Sequence, residues 1–127
     1  MLYIDSSALV KRVAEEAGSS GLTRFVNGRA GELVTSVVAS VEVRRAARRV
    51  GAAETGELAL RTVDLVELAP EIRDLAVAIE RSSLRTPDAV QLATALALGD
   101  ELESVIAYDR RLVNAARANG VDVVSPR

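Results

Sequence analysis

Apolar stretches of strand length alternate with stretches of helical period along the whole sequence. This alternation is typical of βα units wound around a largely parallel sheet, so the sequence predicts an α/β fold. The predicted strands cover residues 2–4, 33–35, 63–68, 105–108 and 121–124, with the last at an edge of the sheet. The predicted helices cover residues 6–17, 20–29, 37–50, 53–62, 70–83, 87–98 and 109–118.

Short polar residues and prolines set several boundaries of these helices. Ser36 and Thr86 stand at predicted N-caps, where a side-chain oxygen accepts a hydrogen bond from a free backbone N–H. Pro70 and Pro87 stand at the first helical position, which tolerates proline. The helix after Pro87 is apolar almost all round, which predicts a place at the centre of the domain.

The chain of 127 residues has the size of one domain, and no linker, repeat or low-complexity segment divides it. We therefore expect a single domain over residues 1–127. The sequence contains no run of about eighteen apolar residues. It also lacks a basic segment followed by an apolar core near residue 1, so we expect a cytoplasmic protein.

The composition excludes several chemistries, because the sequence contains no cysteine and no histidine. Disulfides, Cys/His zinc sites, thiol catalysis and histidine acid–base chemistry are therefore ruled out. Clustered carboxylates would call for a hard cation with oxygen ligands, such as Mg²⁺ or Mn²⁺, rather than zinc. The formal net charge of −2 gives no overall attraction to nucleic acid, and two tyrosines and one phenylalanine are too few for base stacking.

Four acidic residues stand where an α/β fold forms its sites. Asp5 and Asp109 each follow a predicted strand directly, and open parallel sheets bind ligands beyond the carboxyl ends of their strands. Asp88 begins the most apolar helix, and Glu42 lies among apolar neighbours on its own helix. Each acid also has a structural explanation. The three aspartates suit helix N-termini, and Glu42 is spaced to form an ion pair with Arg45.

One shared site explains the four acids together better than four separate structural roles do. Glu42 shares a predicted helix face with Val38, Val41 and Ala46, where a lone carboxylate is costly. Carboxylates gathered in one cleft repel one another unless a divalent ion neutralises them. Such an ion also lowers the pKa of a coordinated water and stabilises charge on a phosphodiester, which needs no histidine. The four acids are thus candidate metal ligands and catalytic groups.

Four segments of the sequence resemble the motifs of one family of nucleases. They are YIDSSALVKR at residues 3–12, SVVASVEVRRAARR at 36–49, LRTPDAVQLATAL at 84–96 and VIAYDRRLVNAA at 105–116. In this order, and with one of the four acids in each, they resemble the PIN-domain ribonucleases. The resemblance is strongest to the VapC-type toxins of toxin–antitoxin modules, and it spans nearly the whole chain.

This resemblance implies a three-layer fold with a five-stranded parallel sheet in the order 3-2-1-4-5, so that Asp5 and Asp109 follow adjacent strands. It implies endonucleolytic cleavage of RNA that depends on Mg²⁺ or Mn²⁺, with water as the nucleophile. Asp5 and Asp88 would be the main metal ligands, and Glu42 and Asp109 would complete the acidic site. The resemblance further implies a homodimer and a cognate antitoxin whose C-terminal segment fills the groove beside the site.

Two residues depart from the pattern of the family. Gln91 stands where relatives often have histidine, and Tyr108 stands where they often have threonine or serine. Gln91 donates and accepts hydrogen bonds but does not ionise near neutral pH, so we expect no proton transfer at this position. We expect Tyr108 to narrow the cleft.

A basic stretch follows Glu42 on the predicted helix. Its members are Arg44, Arg45, Arg48 and Arg49. Arginine forks suit phosphate geometry, so this stretch is predicted to hold the RNA backbone on one side of the acids. The alternative is a solvated helix face without a ligand.

Two other functions fit parts of the sequence. A non-catalytic module with the same fold would act by binding RNA or a partner protein, although such a module does not need four carboxylates at mutual electrostatic cost. A phosphoacceptor or phosphatase domain of α/β type would also carry an aspartate after its first strand. The segment Asp5-Ser6-Ser7 lacks the second nearby acid that such sites use.

Overall fold

The computed structural model describes residues 1–79 and 84–127 of the chain. Within these residues the sheet consists of β1 (Leu2–Ile4), β2 (Leu33–Ser36), β3 (Asp64–Val66), β4 (Ser104–Ile106) and β5 (Val123–Val124). The helices are α1 (Ser6–Lys11), α2 (Ser19–Asn27), α3 (Val37–Arg49), α4 (Ala53–Leu60), α5 (Pro70–Ala78), α6 (Thr86–Ala97) and α7 (Arg110–Ala118). None of the helices in this described part is long and apolar enough to cross a membrane.

The strand order is β3-β2-β1-β4-β5, and all neighbouring strands run parallel. The central strand β1 pairs Tyr3 with Val34 of β2 on one side and with Val105 of β4 on the other. The predicted α/β fold and its strand order are confirmed. Because the strands are parallel, the carboxyl ends of β1 and β4 lie side by side, at the point where the order of the sheet reverses.

The side chains of β1 alternate between the two faces of the sheet and join two cores. Leu2 and Ile4 pack in one cluster with apolar residues of α1, α2, α3 and α4. Tyr3 packs in the other with apolar residues of α6 and α7, and α5 packs against α6. Helices thus cover both faces of the sheet. This agrees with the apolar sequence of β1, because a strand that is buried on both faces does not alternate apolar and polar residues.

The first helix is shorter than the sequence predicted. The periodicity predicted a helix to residue 17, but α1 ends at Lys11. The amino group of Lys11 donates to the carbonyl of Ala17 at 2.9 Å, and the hydroxyl of Ser19 donates to the carbonyl of Lys11 at 3.0 Å. These side-chain contacts fold residues 12–17 back on α1 instead of continuing it.

Two helix boundaries around α5 and α6 also differ from the prediction. The helix that begins at Pro70 ends at Ala78, because Ile79 has extended backbone with ψ 114°. The rest of its predicted length, residues 80–83, lies outside the described residues. Thr86 was predicted as the cap of the next helix, but it is the first helical residue, and the N-cap is Arg85.

Gly56 of α4 lies directly against α3. A Cβ atom at Gly56 would stand 2.8 Å from the Cβ of Ala47, which is closer than two methyl groups approach. The missing side chain therefore sets the separation of α4 from the helix that carries Glu42.

Replacing Gly56 with alanine should lower the free energy of unfolding by about 1–3 kcal/mol, because the added methyl overpacks the contact between α3 and α4. Alanine is the better helix former by roughly 1 kcal/mol, which opposes this loss. Urea denaturation measures the result. The control is Thr55→Ala, at the exposed preceding position, which should be neutral or slightly stabilising. A Gly56→Ala variant as stable as Thr55→Ala would contradict the close packing.

Candidate active site

The four acids predicted from the sequence line one cleft of about 510 Å³. Asp5 follows β1, Glu42 lies on α3, Asp88 lies in the first turn of α6, and Asp109 is the N-cap of α7. The structure therefore brings together residues from both helical layers at the carboxyl ends of β1 and β4. Other polar residues that line the cleft are Ser6, Ser7, Glu16, Arg49, Arg85 and Arg111.

Asp5 is the buried floor of the cleft, with 1% of its surface exposed. Its carboxylate accepts hydrogen bonds from the backbone N–H of Ala8 and from the hydroxyl of Ser7, both at 2.8 Å. Burial, and after it the charges of Asp109 and Asp88, raise the pKa of Asp5 to about 7, against the opposing effect of these hydrogen bonds. Asp5 is a helix cap, as the structural explanation held, and a member of the site as well.

Asp88 and Asp109 stand at two helix N-termini across the cleft. Asp109 is exposed, and its Oδ1 accepts hydrogen bonds from the backbone N–H groups of Arg111 and Leu112 at 3.0 and 3.1 Å. Burial raises the pKa of Asp88, and the charge of Asp109 adds to this, whereas Arg85 and Arg111 lower it. The two acids are thus close enough to sense each other's charge.

Glu42 faces the cleft and not the core. The prediction that Glu42 shares an apolar helix face is only partly right, because Val41 on that face is 50% exposed. The predicted ion pair with Arg45 is not among the contacts of the described residues. Instead, the Oε1 of Glu42 accepts a hydrogen bond from Nε2 of Gln91 at 3.2 Å. Burial raises the pKa of Glu42, and the charge of Asp88 raises it too.

The arginines at the cleft differ from those that the sequence singled out. Arg44 binds Glu57 at 2.7 Å, and of the predicted basic stretch only Arg49 lines the cleft. Arg85 and Arg111, which the sequence reasoning missed, line it as well. Their positions in the sequence could have indicated this, since each stands within three residues of one of the acids.

Tyr108 does not narrow the cleft as expected. Its hydroxyl donates a hydrogen bond to the carbonyl of Pro126, and the amino group of Lys11 lies 4.7 Å from the centre of its ring. Tyr108 packs against the cluster around β1 and is absent from the cleft lining. The side chain is turned toward the C-terminal segment because that segment offers its hydroxyl a partner.

The cleft fits a divalent cation in donor type and in charge. Its carboxylates are hard oxygen donors, and in residues 1–79 and 84–127 no lysine or arginine forms an ion pair with any of the four. As they stand, no three acids of the described residues are grouped closely enough to hold an ion. Binding one would require the carboxylates to move inward on it.

Comparison with known proteins identifies the class that this fold and cleft define. The family model of the PIN domain matches residues 2–118. Ribonuclease VapC46 of Mycobacterium tuberculosis is 39% identical over 127 residues, which cover 98% of this chain and 97% of that protein. Ribonuclease VapC35 of the same species is 36% identical over 132 residues, which cover 99% and 97%. The chain therefore belongs to the PIN-domain family, and within it to the VapC proteins.

Two solved structures share the fold. One is a toxin–antitoxin complex from Klebsiella pneumoniae, with a TM-score of 0.77, 20% identity and coverage of 100% of this chain and 98% of that chain. The other is Mycobacterium tuberculosis VapC20, described as a toxin that cleaves the sarcin–ricin loop. It has a TM-score of 0.77, 17% identity and coverage of 99% and 100%. These likenesses agree with the observed sheet.

Asp5→Asn should stabilise the metal-free protein increasingly as pH rises. Asparagine caps a helix as well as aspartate, so the change removes the charge and keeps the cap. The folded pKa of Asp5, about 7, lies above its ordinary value of 3.8. Between these values the unfolded state binds fewer protons than the folded one, so the stability of the wild type falls as pH rises through this window.

Thermal melts in EDTA between about pH 4 and pH 8 measure this effect. The Tm of Asp5→Asn minus that of the wild type should grow by several degrees across the range. Asp122→Asn, at an exposed acid outside the cleft, controls for the loss of one charge. A difference for Asp5→Asn that grows no more than that for Asp122→Asn would contradict the raised pKa.

Proposed function

We propose that this protein is the toxin of a toxin–antitoxin module, an endoribonuclease that hydrolyses RNA phosphodiester bonds with a metal-activated water. The observation that carries the proposal is the gathering of four carboxylates from four separate elements in one cleft whose rim bears arginines. Support comes also from the relatives named Ribonuclease VapC, which align along almost their whole length.

The four acids would hold Mg²⁺, or Mn²⁺ in its place. Asp5 and Asp88 are the proposed main ligands, and Glu42 and Asp109 complete the site. When bound, the ion supplies a more acidic water and stabilises the charge that grows on the phosphate. The protein keeps Asp5 out of solvent at the end of β1, where burial disfavours the ionised form of the carboxyl group and a nearby cation would favour it.

The arginines at the rim of the cleft would bind the RNA phosphates on either side of the phosphodiester bond that is cleaved. Arg85 and Arg111 are near enough to Asp88 to lower its pKa, so they flank that side of the cleft. Arg49 is the last residue of α3 and lines the same cleft as Glu42. A polyanionic strand would therefore meet positive charge at the rim and the acids at the floor.

The partner proteins follow from the same proposal. We propose a cognate antitoxin that covers the cleft groove, and a homodimer in the cytoplasm. The toxin–antitoxin complex from Klebsiella pneumoniae, which has this fold, supports the antitoxin.

Purified wild-type protein should cleave RNA with Mg²⁺ or Mn²⁺ and stop when EDTA is added. Asp5→Asn and Asp88→Asn should lose about 10³-fold in rate, because each removes a ligand worth several kcal/mol of charge stabilisation in the transition state. Product formation on a labelled RNA oligonucleotide measures this, with Asp122→Asn as the active control. Equal cleavage by wild type and Asp5→Asn, or no cleavage by either, would contradict the proposed ribonuclease activity and favour a non-catalytic binding module.

Arg49→Ala, Arg85→Ala and Arg111→Ala should each weaken RNA binding and flatten its salt dependence. Each lost phosphate contact should lower the slope of log K against log salt by about 0.7, the value for single strands. Fluorescence anisotropy in EDTA measures binding without cleavage. The control is Arg48→Ala, an exposed arginine of α3 outside the cleft lining, which should leave the slope unchanged. If Arg48→Ala changes the slope as much as Arg49→Ala, the RNA does not follow the cleft.

A further inference from the structure

A fully buried glutamine joins three elements beside the cleft. Gln91 of α6 is 0% exposed, and its carboxamide uses both its donating and its accepting positions. Its Nε2 donates to the Oγ of Ser6 at 3.1 Å and to the Oε1 of Glu42 at 3.2 Å. Its Oε1 accepts from the backbone N–H of Ser6 at 3.0 Å and from the hydroxyl of Tyr3 at 3.3 Å. Gln91 therefore ties β1 and the start of α1 to α3.

Burial alone does not require such an arrangement, as a second polar residue of the same helix shows. Thr94 is also buried, with 1% of its surface exposed, and its hydroxyl donates to the carbonyl of Val90 within α6 at 2.7 Å. Thr94 thus finds a local partner, whereas all four hydrogen bonds of Gln91 reach other elements. A residue that bridges elements fixes their relative position, and a locally bonded one does not.

Gln91 constrains the acid that has most freedom in the cleft. Glu42 is half-buried on α3, and its long side chain would otherwise sample several rotamers. The hydrogen bond from Gln91 to its Oε1 limits this freedom. Because the Oγ of Ser6 accepts from Gln91, its own proton is available to Glu42, and this hydroxyl lowers the pKa of Glu42.

We propose that Gln91 is a positioning residue, which holds the carboxylate of Glu42 toward the cleft and, through Ser6, fixes it relative to the end of β1. The inference rests on the proposed function, because that function gives Glu42 its part in the acidic site. The carboxamide suits the task, since it donates hydrogen bonds without adding positive charge. A lysine or arginine there would neutralise Glu42 and remove one charge that a cation needs.

Two substitutions separate positioning from packing. Gln91→Met keeps the size of the side chain and removes all four hydrogen bonds. Gln91→Glu keeps the oxygen that accepts from Ser6 and Tyr3 but replaces the amide donor by a second carboxyl oxygen, which as a carboxylate repels Glu42. In both variants kcat should fall about 10- to 100-fold while KM for an RNA oligonucleotide stays within about twofold, because Gln91 touches Glu42 and not the RNA. RNA affinity in EDTA should match the wild type.

The matched control is Thr94→Val, which removes a buried hydrogen bond from the same helix without touching the cleft. It should lower Tm and leave kcat unchanged. A further readout does not depend on activity, because the affinity for Mn²⁺, measured by calorimetric titration, should fall about tenfold in Gln91→Met and not in Thr94→Val. Should Gln91→Met fail to fold, Gln91→Glu carries the kinetic test, since it retains the accepting contacts.

The outcomes separate this inference from the proposed function. An active wild type with equally active Gln91→Met and Gln91→Glu would overturn the positioning role alone. A loss of kcat in Thr94→Val as large as in Gln91→Met would overturn it too, because the effect would then follow stability. An inactive wild type would overturn the proposed function, and the Mn²⁺ titration would still decide the role of Gln91, with equal affinities contradicting it.

Discussion

The carboxylate of Asp5 is buried, and no basic side chain of the described residues forms an ion pair with it. The cleft is arranged around that charge. Two hydrogen bonds, from Ala8 and Ser7, orient it but do not neutralise it. Its raised pKa, about 7, reflects burial first and the neighbouring acids second. A protein that needed only a helix cap here would do as well with serine or asparagine, which carry no charge. The aspartate therefore indicates a function in which a cation or a proton balances it.

The topology explains how distant residues reach this charge. The central position of β1 sets Asp5 beside the end of β4 and hence beside Asp109. The other two acids come from opposite faces of the sheet, Glu42 from α3 and Asp88 from α6. Those two helices contact each other next to the cleft, and Gln91 bridges them there. The site is thus built across both helical layers, so its geometry depends on how the layers pack and not on any one loop.

Much of this could be predicted from the sequence, for identifiable reasons. Strand positions followed from apolar runs, and the acids at strand ends and helix starts converge because parallel strands end at one edge. What the sequence left open depends on contacts between distant elements. Arg44 was expected at the RNA, but it faces Glu57, thirteen positions away on α4. Gln91 was expected only to donate and accept hydrogen bonds, and its burial against β1 and α3 follows only from the packing of α6. The periodicity of a sequence predicts which face of a helix is buried, but not which other element that face packs against.

Anomalous diffraction from crystals grown with Mn²⁺ near neutral pH would show whether these acids form one site for a divalent cation. We expect a manganese peak in the cleft, bound by Asp5 and Asp88 with Glu42 or Asp109 drawn toward it. The same crystals of Asp5→Asn should lack the peak. Manganese bound only outside the cleft, or an ordered cleft that stays empty at millimolar Mn²⁺, would show that the four acids do not form a divalent-cation site.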